Sequence, residues 1–99
     1  MSKAGNTELP DKFIIAETDS FVKIIKSPPF SALYGKIKDY IYPQLRHNPF
    51  FGANIKKLRG ELGKFYRYRV GKYRLFYIID LRKRIIFIVN LIHRKESYK

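Results

Sequence analysis

The sequence predicts an α+β fold: a small, mainly antiparallel sheet of three to four strands with two N-terminal helices packed on one face, in the order β-α-α-β-β-β. Three observations carry this. Helical periodicity is confined to the first half of the chain, where apolar residues recur every three or four positions. Strand-like runs gather in the second half, at 65–70, 73–79 and 84–92. Segregated helices and strands of this kind argue α+β rather than alternating α/β. Finally, a chain of 99 residues with 45% hydrophobic content is large and apolar enough to fold as one domain around its own core.

The elements follow in order. Residues 1–11 are small and polar and read as a flexible leader, leaving a single domain over 12–99. "KFIIAET" (12–18) is a short apolar run ending in helix-capping types, hence a first strand. Thr18, Asp19 or Ser20 can cap the helix "SFVKIIKS", which Pro28 and Pro29 close. The next helix is "FSALYGKIKDYIYPQL". Its apolar stripe is Phe30, Leu33, Tyr34, Ile37, Tyr40 and Ile41, and Pro43 is expected to kink or end it. "RHNPFFGAN" is a turn-rich connection, and "IKKLRGELG" is amphipathic and fits either helix or strand.

Gly71-Lys72 fits a two-residue hairpin loop with glycine first. That loop sets the register: Val70 faces Tyr73, Arg69 faces Arg74, Tyr68 faces Leu75, Arg67 faces Phe76 and Tyr66 faces Tyr77. Opposed residues share a face, and faces alternate along each strand. One face then holds Tyr66, Tyr68, Val70, Tyr73, Leu75 and Tyr77, carries no charge and should meet the helices. The other holds Phe65, Arg67, Arg69, Arg74, Phe76 and Ile78. In the last strand the parity of Ile86, Ile88, Asn90, Ile92 and Arg94 is expected on the arginine face. The more apolar set of Ile85, Phe87, Val89, Leu91 and His93 is expected on the core.

Directly opposed like charges weaken a sheet pair by roughly a few tenths of a kcal/mol. Stability alone would alternate the signs, so the clustered arginines point to a bound polyanion, and the planar guanidinium fork suits phosphate. Aromatic neighbours Phe65, Phe76 and Tyr98 add surfaces on which bases stack, the combination used for single-stranded nucleic acid. Charge agrees: 21 basic against eight acidic residues give +13, and residues 50–99 alone hold fourteen against three (14 − 3 = +11). Such asymmetry suits nucleic acid, an anionic membrane or an acidic protein. The absence of cysteine excludes disulfides and thiolate metal sites. No metal-ligand spacing, paired acids or phosphate-binding glycine loop is present, so neither metal nor cofactor is expected. "MSKAGNTELPDK" has no signal-peptide core and no run reaches a membrane span, so a cytoplasmic protein without membrane contact is expected. Lys3, Lys12, Lys23, Lys26, Lys36 and Lys38 read as solvated surface, and His47 as loop.

"KKLRGELGKFYRYRVGKYRLFYIID" followed by "IVNLIHRKESY" resembles the RelE/ParE toxin superfamily of bacterial and archaeal toxin–antitoxin modules, over roughly residues 55–98. The shared pattern is a Lys-Leu-x-Gly turn, a Tyr-Arg-x-Arg strand, a Gly-x-Tyr-Arg hairpin, and a last strand ending His-Arg with a tyrosine soon after. The resemblance implies a toxin held by a cognate antitoxin through an acidic or amphipathic segment. On the RelE side it implies a ribosome-dependent endoribonuclease, in which the messenger RNA's own 2′-hydroxyl attacks the adjacent phosphate. The implied catalytic set is Arg67, Arg69, Arg74, Arg94 and Tyr98. Further RNA contacts are expected from Lys56, Lys57, Arg59, Lys72, His93 and Lys95. Arg69 departs from the pattern, because arginine stands where a lysine is the candidate base and is itself a poor base. His93 is an alternative proton-transfer group, although an edge histidine is more often structural. Two other readings follow from the same fold: a ParE-like gyrase inhibitor, and a non-catalytic RNA- or ribosome-binding module.

Overall fold

The computed structural model describes residues 12–95. Strand β1 (Ile14–Glu17) leads into helix α1 (Asp19–Ile25). Thr18 joins them: its Oγ1 accepts the Phe21 N–H at 3.4 Å and donates to the Ile88 carbonyl at 2.7 Å, so one hydroxyl caps the helix and ties it to the sheet. A second helical run, α2, spans 30–47. It opens as a 3₁₀ turn (Phe30–Leu33), continues as α (Tyr34–Lys36) and π (Ile37–Ile41) and finishes as α (Tyr42–His47). Asn48 ends it in extended geometry, and its Oδ1 accepts the N–H groups of Phe50 and Phe51. Four strands follow: β2 (Ile55–Lys57), β3 (Phe65–Val70), β4 (Tyr73–Asp80) and β5 (Ile85–His93).

The sheet is five-stranded, in the order β1-β5-β4-β3-β2. β1 runs parallel to β5, and every other neighbouring pair is antiparallel. Both helices lie on the tyrosine face. Phe21 and Ile25 from α1 and Ile37, Ile41, Tyr42 and Leu45 from α2 form one core with Tyr68, Val70, Leu75, Tyr77, Ile86, Ile88 and Leu91. Buried tyrosine hydroxyls find partners in the helical layer: Tyr68 donates to Gln44 Oε1 at 2.8 Å and Tyr77 to the Pro49 carbonyl at 2.7 Å. No helix among the described residues is long and apolar enough to cross a membrane.

The hairpin register is the one the loop dictates, with Arg69 opposite Arg74 and Tyr66 opposite Tyr77. Gly71 takes a positive φ of 59°, which the first loop position demands and which glycine adopts without steric cost.

Three expectations are corrected. The sheet has five strands rather than three to four, because the amphipathic segment at 55 supplies the short edge strand β2. The helical layer also differs: Pro43 neither ends α2 nor stops its helical geometry. The preceding turn widens, with the Tyr42 N–H bonding to the Ile37 carbonyl, and proline sits in the first turn of the next α segment, where its missing N–H is tolerated. The wide turn also rotates the stripe, so Tyr40 is 66% exposed while Tyr42 and Leu45 are buried. Third, β5 does not keep one parity. Phe76 faces Asn90 but Tyr77 faces Ile88, leaving Val89 as the extra residue of a bulge. Asn90 and Ile92 therefore share the arginine face as expected. On the far side of the bulge Ile86 and Ile88 turn into the core, where both are fully buried.

Candidate nucleic-acid interface

The sheet face turned away from the helices is built by β2 through β5. Pairing puts Lys56 opposite Arg67, Arg69 opposite Arg74, Arg67 opposite Phe76, and Arg74 opposite Ile92. Two adjoining hollows result. The first, about 300 Å³, is lined by Lys56, Arg59, Arg67, Arg74 and Phe76, with Leu58 and Leu62 as its wall. The second, about 220 Å³, is lined by Arg69, Gly71, Tyr73, Arg74 and Arg94. Arg74 belongs to both and is the centre of the cationic surface. Among the described residues, no carboxylate lines either hollow.

Backbone bonds fix these side chains. The Arg67 Nη1 donates to the Asn54 carbonyl at 3.2 Å, the same oxygen that accepts the Arg69 N–H at 2.9 Å, so one acceptor on the β2 side positions both arginines. The Arg74 Nη1 lies 3.4 Å from the Arg94 carbonyl, and the Arg94 N–H donates to the Lys72 carbonyl at 2.8 Å. The end of β5 is thereby held beside the hairpin tip.

Not every candidate joins this surface. Lys72 is exposed in the hairpin loop and Lys95 in the turn after β5. Lys57 lies on the helix side, its Nζ 6.0 Å from the Tyr66 ring centre. His93 is also on the helix side, opposite Tyr73 and edge-on to its ring at 5.3 Å. Its Nδ1 accepts the Lys95 N–H at 3.2 Å, which leaves Nε2 as the ring N–H. His93 therefore lies on the face opposite the arginines. Tyr98 falls outside the described residues. Among those described, no three histidine or carboxylate side chains gather as a metal site.

Sequence reasoning missed the wall. Leu58 and Leu62 flank the cationic hollow, and together with Phe65, Phe76 and Ile92 they form an apolar groove beside it. The available signal was the amphipathic spacing within "IKKLRGELG", which gives a strand, then a left-handed Gly60 (φ 68°) and a 3₁₀ turn (Gly60–Leu62) that carries Leu62 over the sheet.

The arrangement can hold several phosphates along one strand, neutralise charge developing on a phosphorus centre, and offer apolar surface to an attached base. Comparison with known proteins agrees with this fold. A family model described as the ParE toxin of the type II toxin–antitoxin system parDE matches residues 24–98. No individual curated protein matches the chain. Among solved structures, the chain is similar to one in the toxin–antitoxin complex RelBE2 from Mycobacterium tuberculosis, with 26% identity, 84% of this chain and 99% of that chain covered, and a TM-score of 0.68. It is similar to one in the archaeal RelE–RelB complex from Pyrococcus horikoshii, with 26% identity, coverage of 84% and 96%, and a TM-score of 0.67. It shares its fold with a mutant of the E. coli toxin RelE in the free state, at 20% identity, coverage of 88% of each chain and a TM-score of 0.66.

Proposed function

We propose, for a chain that belongs to the ParE toxin family of type II toxin–antitoxin systems within the RelE/ParE superfamily, that it is a toxin of the ribosome-dependent endoribonuclease kind, cutting messenger RNA and restrained by a cognate antitoxin. One observation carries the reading: Arg67, Arg69, Arg74 and Arg94 line two adjoining hollows on a single open sheet face, and no carboxylate among the described residues lines either. A surface that only had to stay folded and soluble would place acids among these bases.

The chemistry is internal transesterification. The 2′-oxygen forms a bond to phosphorus, the 5′-oxygen bond breaks, and a 2′,3′-cyclic phosphate remains. The 2′-hydroxyl gives up a proton, the departing 5′-oxygen gains one, and the phosphorane carries the charge between those events. Arg67 and Arg74 clamp the reacting phosphate from the shared hollow, and Arg69 and Arg94 hold its neighbour. Arginine serves poorly as a proton acceptor, and His93 is on the other face. Lys56, opposite Arg67 and lining the same hollow, adds its ammonium charge to the clamp on that phosphate, and the 2′-hydroxyl proton passes to water. Tyr98, outside the described residues, is proposed to stack on a base or to orient the 2′-hydroxyl. The antitoxin supplies the counter-charge, an acidic amphipathic segment that covers this face. The RelBE and RelE–RelB assemblies among the similar structures support such a partner.

Controlled expression tests the reading. Growth should stop, and sequencing of transcript ends should reveal new 5′ ends within ribosome-protected stretches, paired with cyclic-phosphate 3′ ends. Lys56→Ala, which removes one cation from the shared hollow, should weaken RNA binding and lower cleavage together. A second reading is favoured by the ParE family match itself: inhibition of DNA gyrase. It would appear as intact transcripts with DNA breaks and altered supercoiling on induction.

A further inference from the structure

Among the described residues, the apolar groove beside the arginines has one polar residue in its lining, Asn90. Its place follows from the topology. β1 pairs with β5 only as far as Ile88, so beyond that point the outer edge of β5 has no neighbouring strand among the described residues. The Leu91 N–H on that edge bonds to Asn90 Oδ1 at 2.9 Å. A backbone N–H can only donate, so this bond fixes the amide orientation, with oxygen toward the strand and nitrogen away from it. Nδ2 has no hydrogen-bond partner among the described residues. The half-buried side chain therefore brings N–H donors to a groove of about 270 Å³ whose other walls include Leu58, Leu62, Phe65, Phe76 and Ile92.

The groove is continuous with the cationic hollow, for Leu58, Leu62 and Phe76 line both. A ligand filling both must carry an anion at one end and a flat apolar body at the other, with a hydrogen-bond acceptor on its rim. A nucleotide has that construction. Resting on the RNA-cleaving reading above, we propose that Asn90 is a specificity-determining residue, seating a keto base (guanine or uracil) in the groove while its phosphate lies on Arg67 and Arg74. Guanine offers O6 beside N7, and uracil offers two carbonyl oxygens. Adenine and cytosine each place an exocyclic amino donor beside their acceptor. An asparagine that reads adenine needs its oxygen and nitrogen aimed together at the base, and here the oxygen is drawn back to Leu91. The leucine and phenylalanine walls stack with any base, so the selection falls to the amide.

The test uses the full chain and fluorescent five-nucleotide RNAs that differ only in the central base within a cytosine background. A central 2′-deoxy group blocks cutting. Wild type should bind the guanine- and uracil-centred strands about tenfold more tightly than the adenine-centred one, the discrimination typical of a good base contact. Asn90→Leu should bring the ratio close to one. Asn90→Asp still accepts the Leu91 N–H but offers only acceptors, so it should weaken all binding and invert the ratio toward adenine. Thermal melts of both variants establish that they are folded. A ratio that is the same in all three proteins overturns the assignment. If Arg74→Ala weakens every RNA while the Asn90 variants leave the ratio alone, the RNA site stands and the base reader is wrong. If neither Arg74→Ala nor the Asn90 variants affect RNA binding, the RNA reading itself fails. Should Leu62→Lys abolish binding of a protein partner and leave the RNA ratio untouched, the groove is a peptide-docking surface and the proposal is lost.

Discussion

Arg69 and Arg74 face each other across two strands, a pairing of like charges that does not favour the sheet. Their worth should appear in catalysis. Arg74→Ala and Arg94→Ala are each expected to lower ribosome-coupled cleavage by about a hundredfold or more, as loss of a transition-state clamp does. The melting free energy of Arg74→Ala should move by about 1 kcal/mol, the size of one lost exposed hydrogen bond to the Arg94 carbonyl. Arg69→Lys keeps the charge while adding a group that can exchange a proton, so activity should be kept or raised and its pH profile changed. Tyr68→Ala is the contrasting case. That ring is buried and its hydroxyl bonds to Gln44, so its removal should cost about 3–5 kcal/mol of stability by cavity formation. A different cluster governs alkaline behaviour. Glu17 on β1 accepts the hydroxyls of Tyr34 at 2.7 Å and Tyr42 at 2.8 Å. The bond to Glu17, then burial, pushes the Tyr34 pKa up from 10.0 to about 12. Burial first and the Glu17 bond second push Tyr42 up as well. Because the folded values lie above the unfolded one, the unfolded chain loses these protons first as pH rises. The stabilisation is complete below about pH 10 and is lost as pH climbs through about 12. Urea midpoints should therefore stay level at neutral pH and fall steeply above pH 10. Tyr34→Phe should lower the neutral midpoint and flatten that fall.

At the scale of elements, the two places where periodicity misled are both single-residue phase slips. The hairpin was legible because Gly71-Lys72 admits one register, and Tyr66, Tyr68, Tyr73 and Tyr77 then had to share a face. The arginine surface followed from the same pairing, and Arg94 reaches it because its parity is counted from the hairpin end, short of the bulge. Beyond Val89 that count fails. Ile85 to Ile88 are all apolar or aromatic, so nothing in the pattern distinguished the inward set, and the bulge chose Ile86 and Ile88. In α2 the π turn ahead of Pro43 did the same to Tyr40 and Tyr42. Strand β2 has only three residues, too few for alternation to register. The bulge gives a test. In a regular strand, deleting a residue flips every side chain beyond it to the wrong face. Here, removing Val89 leaves each observed pair, Phe76 with Asn90 and Tyr77 with Ile88, able to form in an uninterrupted ladder. The deletion should keep a cooperative melt and bury the same core, at a cost of about 1–2 kcal/mol from the lost bend and the broken Ser20–Val89 hydrogen bond. Deleting Phe87 instead, inside regular pairing, should abolish cooperative unfolding.

Over the whole molecule, layering separates two tasks. The helical layer covers the tyrosine face and supplies most of the hydrophobic stabilisation, which frees the opposite face to gather charge that the fold does not need. The net charge of +13 is concentrated in the half of the chain that builds β2 to β5. A field of this kind draws in polyanions and repels a second copy of itself. It also fixes a measurable signature. Each phosphate engaged on single-stranded RNA releases counterions, and the logarithm of the affinity falls with the logarithm of salt at about 0.7 per contact. With Arg67 and Arg74 on one phosphate and Arg69 and Arg94 on its neighbour, the slope should be about −1.4, and Arg74→Ala should reduce its magnitude. Lys57→Ala should leave the slope almost unchanged, because its ammonium group lies on the helix side over Tyr66. The comparison of those two variants carries the decision. A diffuse electrostatic surface would respond equally to the loss of either cation, since at low salt every positive charge contributes to a shared field. A built site responds only at the positions that touch phosphate. Equal reductions for Arg74→Ala and Lys57→Ala, measured by fluorescence anisotropy over a salt series, would reduce the arginine face to general basicity and move the weight of the argument to a protein target.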